Sequence, residues 1–155
     1  MTTNTLAQVH YISDPELAYV MQRYRECHDF YHCICSLPVS IPSELALKFF
    51  EFANLRLPVT AIAALLGPLR LTSSQRSRLV KEYVPWALQC GGSARCLIDV
   101  NWEERWEQNV DELKRELGIW DPPEAVWPRK PLTEAAKERQ RRKALAGQTS
   151  QLSAI

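Results

Sequence analysis

Between Pro15 and Pro38 the chain contains neither proline nor glycine. Across this stretch Leu17, Met21, Tyr24, His28, Tyr31 and Cys35 recur at three- and four-residue steps. That period places them on one helical face, since a turn takes about 3.6 residues. Asp14 is an acidic N-cap and Pro15 follows in the first turn, where its missing N–H breaks no bond. The spacing predicts a helix from Asp14 to about Ser36, ended by the two prolines of Leu37-Pro38-Val39-Ser40-Ile41-Pro42. Further helices are predicted from Ser43 to about Asn54, over an apolar stretch ending near Gly67-Pro68, and from Thr72–Ser74 toward Gln89. Pro85 is expected to kink or break that last one, and Gly91-Gly92 to end it before a short segment, Ala94 to Val100. A final helix is predicted from Asn101 to Leu117, with Trp102, Trp106, Val110, Leu113 and Leu117 as a core stripe and Gly118 as C-cap. Alternating Val/Ile/Thr runs and Asn-Gly turns are missing, so strands are not expected. The chain reads as all-α: a short lead over 1–13, one helical domain over 14–128 and a polar tail over 129–155.

On the first helix, Asp29 and His32 lie within about 100° of His28. His28 and His32 have the four-residue spacing by which a helix offers two imidazoles to one metal. Glu44 opens the next helix, across the proline-rich loop, and returns to the same point if the two helices run antiparallel. Two nitrogens and two carboxylates suit zinc, iron, cobalt or manganese better than calcium or magnesium. His28, Asp29, His32 and Glu44 are therefore the candidate metal ligands. Other readings of the motif fit less well. A metalloprotease carries glutamate where Asp29 stands, and a His-Asp phosphohydrolase needs further ligands on separate helices, whereas the remaining histidine is His10. Cys27, Cys33 and Cys35 crowd the same segment, but Cys33 and Cys35 are about 160° apart on a helix and cannot both face inward with His32. The five cysteines suggest free thiols rather than a disulfide framework.

The net charge is +1, which gives no electrostatic case for nucleic acid. Charge is uneven, at +5 over 129–155 against −4 over 1–128. The basic run Lys137 to Lys143 reads as a solvated, frayed or disordered tail, with contact to anionic lipid as its alternative. The longest apolar stretch, Pro58 to Leu69, is about half of the roughly 20 residues a spanning helix needs. The first ten residues show no amphipathic basic pattern of a transit peptide.

With the motif written out, the chain resembles the ubiquinone (coenzyme Q) biosynthesis family called coenzyme-Q-four. His28-Asp29-x-x-His32 followed, after eleven residues, by Glu44 matches its signature. The flanks Glu16 to Glu26 and Glu44 to Asn54 agree, as do Tyr83-Val-Pro-Trp-Ala, Trp102-Glu103 and Leu117-Gly-Ile further on. The resemblance covers roughly Tyr11 to Trp127. Asn101 stands where the family usually has tyrosine, and Cys33-Ile-Cys-Ser replaces a Gly-containing family segment. The chain reads as beginning after the transit peptide and first helical region of fungal and animal members.

The resemblance implies a peripheral protein on the matrix side of the mitochondrial inner membrane, with zinc as its usual metal. It implies a role in removing the C1 carboxylate of a polyprenylated 4-hydroxybenzoate intermediate, coupled to hydroxylation at that carbon. It also implies partnership with the other ubiquinone biosynthesis enzymes in a complex. The alternative is a non-catalytic scaffold in which the metal only pins two helices. Arg25, about 60° from His28 around the helix, can approach a substrate carboxylate or pair with a surface acid. Phe49, Phe50, Phe52 and Leu65 read as core first and as a prenyl-chain groove second.

Overall fold

A computed structural model of the chain describes residues 9–123, and the expected tail over 129–155 lies outside the described residues. The described part is helical, without a strand: α1 (Pro15–Ile34), α2 (Ile41–Leu55), α3 (Pro58–Leu66), α4 (Ser73–Arg78), α5 (Val84–Ser93) and α6 (Val110–Leu117). None of these helices is long and apolar enough to cross a membrane.

The predicted start of α1 holds: the Asp14 carboxylate accepts hydrogen bonds from the backbone of Glu16 and Leu17. Cys27, Tyr31 and Ile34 carry its face into the core, while Leu17, at its first turn, is 59% exposed. Ser36 turns the chain with φ 52°, and its hydroxyl accepts from the buried Lys114, which also holds Asp121. α2 starts two residues earlier than predicted because Ser40 caps it, accepting from the Ser43 backbone, and Pro42 fits a first turn.

α2 is the central helix, packed against α3 and, over its longest contact, α5. Gly91 makes the α5 contact possible: a Cβ there would lie 2.5 Å from the Phe50 carbonyl oxygen. This packing role explains why α5 continues to Ser93 instead of stopping at Gly91-Gly92. Asn54, near the end of α2, ties the two helices further. Its amide donates to the Gly91, Ala94 and Arg95 carbonyls and accepts from the Leu97 backbone N–H.

Thr72 caps α4 with a reciprocal Gln75 capping box. α4 runs into α5 through a π turn at Leu79–Tyr83, where the Val84 N–H reaches back to the Leu79 carbonyl. Pro85 has no N–H to return to the preceding turn, and its ring crowds the carbonyl four residues back. Widening the helix by one residue just before Pro85 relieves that conflict without a break.

The predicted helix over Asn101–Leu117 is not one helix. Trp102–Glu104 forms a single 3₁₀ turn and α6 begins only at Val110. Asn109 is the reason: it caps α6 by accepting from the Asp111 and Glu112 backbone, which requires an extended conformation at its own position. The core stripe is correspondingly shorter. Trp102, Leu113 and Leu117 are buried, but Trp106 is 70% exposed, resting edge-on against Phe30. Gly118 closes α6 with φ 72° as expected. Of the aromatic and leucine positions assigned to the core, Phe50 is fully buried, whereas Phe52 and Leu65 are exposed on α2 and α3.

Candidate metal centre

α1 brings His28 and His32 to one side one turn apart, their rings 5.0 Å apart between centroids. The turn at Ser36 and the Ser40 cap start α2 so that Glu44, in its first turn, faces both. His28 Nε2 lies 3.2 Å from one Glu44 oxygen and His32 Nε2 lies 2.9 Å from the other. One ligand atom from each of the three residues lies within 4.8 Å of the others.

The other ring nitrogens show what this arrangement can hold. His32 Nδ1 is 3.2 Å from the Leu37 carbonyl, which can only accept, so Nδ1 carries the proton. His28 Nδ1 is 2.6 Å from Glu51 Oε1, also an acceptor when ionised. Both Nε2 atoms are thereby left facing Glu44. Two Nε2 lone pairs and a carboxylate aimed at one point, with each Nδ1–H held from behind, are a donor set that fits a divalent metal.

Without a metal, protons hold the same site together. Burial works against charge on His28, but the hydrogen bonds to Glu44 and Glu51 outweigh it and raise its pKa to about 9. Those same contacts from His28 and His32 hold the Glu44 carboxyl well below its usual range. Behind the histidines, Glu51 is 1% exposed. Its second oxygen accepts from the Tyr24 hydroxyl at 2.8 Å and from Lys48 Nζ at 2.9 Å. Burial, then the Glu51 charge, raises the Tyr24 pKa far above that of a free phenol. Lys48 also donates to the Tyr24 oxygen at 2.8 Å and lies 3.4 Å from Glu44.

The structure brings together three of the four predicted ligands. Asp29 is exposed on α1 and lies outside the group formed by His28, His32 and Glu44. Arg25 is half-buried on α1 and engaged in interactions of its own. Sequence reasoning passed over Glu51 and Lys48. The available signal was spacing: Glu44, Lys48 and Glu51 are four and then three residues apart, which is one face of α2.

Glu44 is 37% exposed on its side chain, so the centre opens to solvent on the α2 side. Beside Glu44 and Lys48 lies a cavity of about 420 Å³, walled by Leu45, Val59, Ile62 and Leu66 and edged by Arg70. The cysteines are free; Cys33 is exposed and Cys35 buried, on opposite sides as the helical spacing predicts. Burial raises the thiol pKa of Cys27 to about 11 and that of Cys35 well above the usual value.

Residues 1–123 match the sequence model of the coenzyme Q (ubiquinone) biosynthesis protein Coq4. The chain is 68% identical over 143 residues to the mitochondrial ubiquinone biosynthesis protein COQ4 of Laccaria bicolor, covering 91% of this chain and 48% of that protein. It is 63% identical over 142 residues to that of Coprinopsis cinerea, covering 92% and 48%. The chain thus spans about half the length of these curated relatives. A crystal structure from Nostoc punctiforme, provisionally assigned to ubiquinone biosynthesis, shares the fold with a TM-score of 0.63 at 19% identity, over 71% of this chain and 55% of that one. By its sequence match and its relatives, the chain belongs to the coenzyme Q (ubiquinone) biosynthesis Coq4 family.

Proposed function

We propose that the chain acts in ubiquinone biosynthesis, as part of a metal-dependent C1 decarboxylation, coupled to hydroxylation, of a polyprenylated 4-hydroxybenzoate intermediate. The observation that carries this reading is the convergence of His28 Nε2, His32 Nε2 and Glu44 on one point that is open on one side. Two imidazoles and a carboxylate suit zinc, the metal of this reading, which when bound would supply Lewis-acid stabilisation of charge on the ring oxygens. Asp29, on the exposed edge of α1, is assigned the fourth protein ligand position, in keeping with the family signature. Lys48 and Arg70 give the cavity mouth positive charge for an anionic aromatic headgroup. Leu45, Ile62 and Leu66 offer an apolar wall for the start of a prenyl chain. Arg25 is assigned an accessory contact to the substrate carboxylate from the α1 side. The relatives are named as mitochondrial, which supports a mitochondrial place; the reading puts the chain peripherally on the matrix face of the inner membrane, in complex with the other enzymes of the route.

A scaffold reading has one observation in its favour: the same three residues bridge α1 to α2, which is what a structural metal does. Metal analysis of the purified protein, with Glu44→Gln assayed separately for ring decarboxylation and complex assembly, separates the two. The enzyme reading expects stoichiometric metal in the wild type and loss of decarboxylation with assembly intact. Loss of assembly alone supports the scaffold, and a wild type without stoichiometric metal removes both.

A further inference from the structure

We propose that Glu51 is a positioning residue for the metal centre: it binds no metal, but holds the Nδ1–H of His28 so that Nε2 is presented to the site. The inference rests on the metal reading above and goes beyond it by assigning a residue that the family signature does not contain.

Three observations carry it. Glu51 Oε1 is 2.6 Å from His28 Nδ1, the shortest contact either histidine makes. The carboxylate is 1% exposed, and an ionised group so buried is tolerated only when its oxygens are engaged. Here they are: Oε2 receives the Tyr24 hydroxyl and the Lys48 ammonium at 2.8 and 2.9 Å. Lys48 is also 3.5 Å from His28 Nδ1, but an ammonium and a ring N–H are both donors, so Glu51 is the acceptor for each.

The two histidines are therefore held differently. His32 is oriented by a neutral carbonyl, that of Leu37, whereas His28 is oriented by a carboxylate. A carboxylate partner raises the basicity of the ligating nitrogen and fixes ring orientation; losing such a partner typically costs about 10–100-fold in metal affinity. Tyr24 and Lys48 complete the device. They occupy the oxygen that His28 does not use, which fixes the orientation of the Glu51 carboxylate.

The test is cobalt(II) titration of the purified chain, read by its visible absorption, with chelator competition to give affinity. Glu51→Gln retains an acceptor oxygen without the charge and is expected to bind cobalt about 10–100-fold more weakly, with an altered spectrum at saturation. A residue that only supported the fold would lower the melting temperature and leave the affinity and saturated spectrum of the folded variant unchanged; that result overturns the inference. Nitrogen-15 NMR of zinc-loaded wild-type protein decides the matter even if the variant does not fold. A His28 ring metallated at Nε2 and protonated at Nδ1 is expected, and metal at Nδ1 overturns the assignment. A wild type that takes up no cobalt overturns the metal reading itself. Wild-type binding matched by the variant overturns only the role of Glu51.

Discussion

The α2–α5 contact can be measured with two adjacent glycines. A Cβ at Gly91 would sit 2.5 Å from the Phe50 carbonyl oxygen and 3.2 Å from the Ala53 Cβ and the Phe50 carbonyl carbon. Two of those three atoms are backbone, so no rotamer change relieves the clash. α5 must move away by about 0.9 Å to reach ordinary contact at 3.4 Å. That separation opens the packing around Phe50, Ala87 and Cys90, all 0% exposed. Overpacking of this kind costs about 1–3 kcal/mol, set against at most ~1 kcal/mol gained from replacing glycine in a helix. Gly92 is one residue on in the same helix, and a Cβ there meets nothing within 4 Å. Gly92→Ala therefore shows the propensity gain alone, while Gly91→Ala combines it with the clash. Urea unfolding followed by circular dichroism is expected to place Gly91→Ala below Gly92→Ala by roughly 1–3 kcal/mol at unchanged m. Because α2 carries Glu44, Lys48 and Glu51, the Gly91 variant is also expected to bind metal more weakly. Equal midpoints for the two variants would refute the close approach of α2 and α5.

Two further outcomes follow from the same structure. Asn54→Ala removes a side chain whose amide NH2, with two hydrogens shared among three carbonyls, and carbonyl oxygen tie α2 to the end of α5 and the residues after it; at about 1 kcal/mol for each of about three bonds and without full additivity, a loss of about 2–3 kcal/mol in chemical unfolding is expected, and less than about 1 kcal/mol would count against it. In metal-free protein the raised His28 pKa gives stability that is fully present below the ordinary 6.5 and lost as pH rises through about 9. The depressed Glu44 pKa gives stability present above the ordinary 4.5 and lost as pH falls. Melting with chelator is thus expected to weaken from neutral toward pH 9, while zinc-loaded protein holds its midpoint; a gap independent of pH would contradict the shared site.

Local signals in the sequence located most helix ends because capping is local chemistry. Asp14, Thr72 and Gly118 each act where a single residue and its neighbours decide the outcome. Elsewhere a tertiary contact overrules such a signal, or one local signal hides another. Gly91 looks like a terminator but is a packing glycine, and only the position of Phe50 shows it. Trp106 fits a helical stripe with Trp102, yet Asn109 starts a new helix between that stripe's two ends. At the site, spacing along one helix found His28 and His32, and the return of Glu44 required only a short antiparallel connection. Glu51 escaped because a buried carboxylate is recognised by its partners, and Tyr24, His28 and Lys48 come from two helices.

The position of that centre in the packing has a consequence for how binding is felt by the fold. α2 is anchored along α5 and α3, and α1 packs against α6 and against residues 97–99, which also touch α2. The contacts joining α1 to α2 include, prominently, the polar ones of Tyr24, His28 and His32 with Glu44, Lys48 and Glu51. The ligand cluster therefore adds a polar link between two helices that residues 97–99 also bridge. A metal that binds only the folded arrangement of α1 on α2 is expected to raise the midpoint of a single unfolding transition.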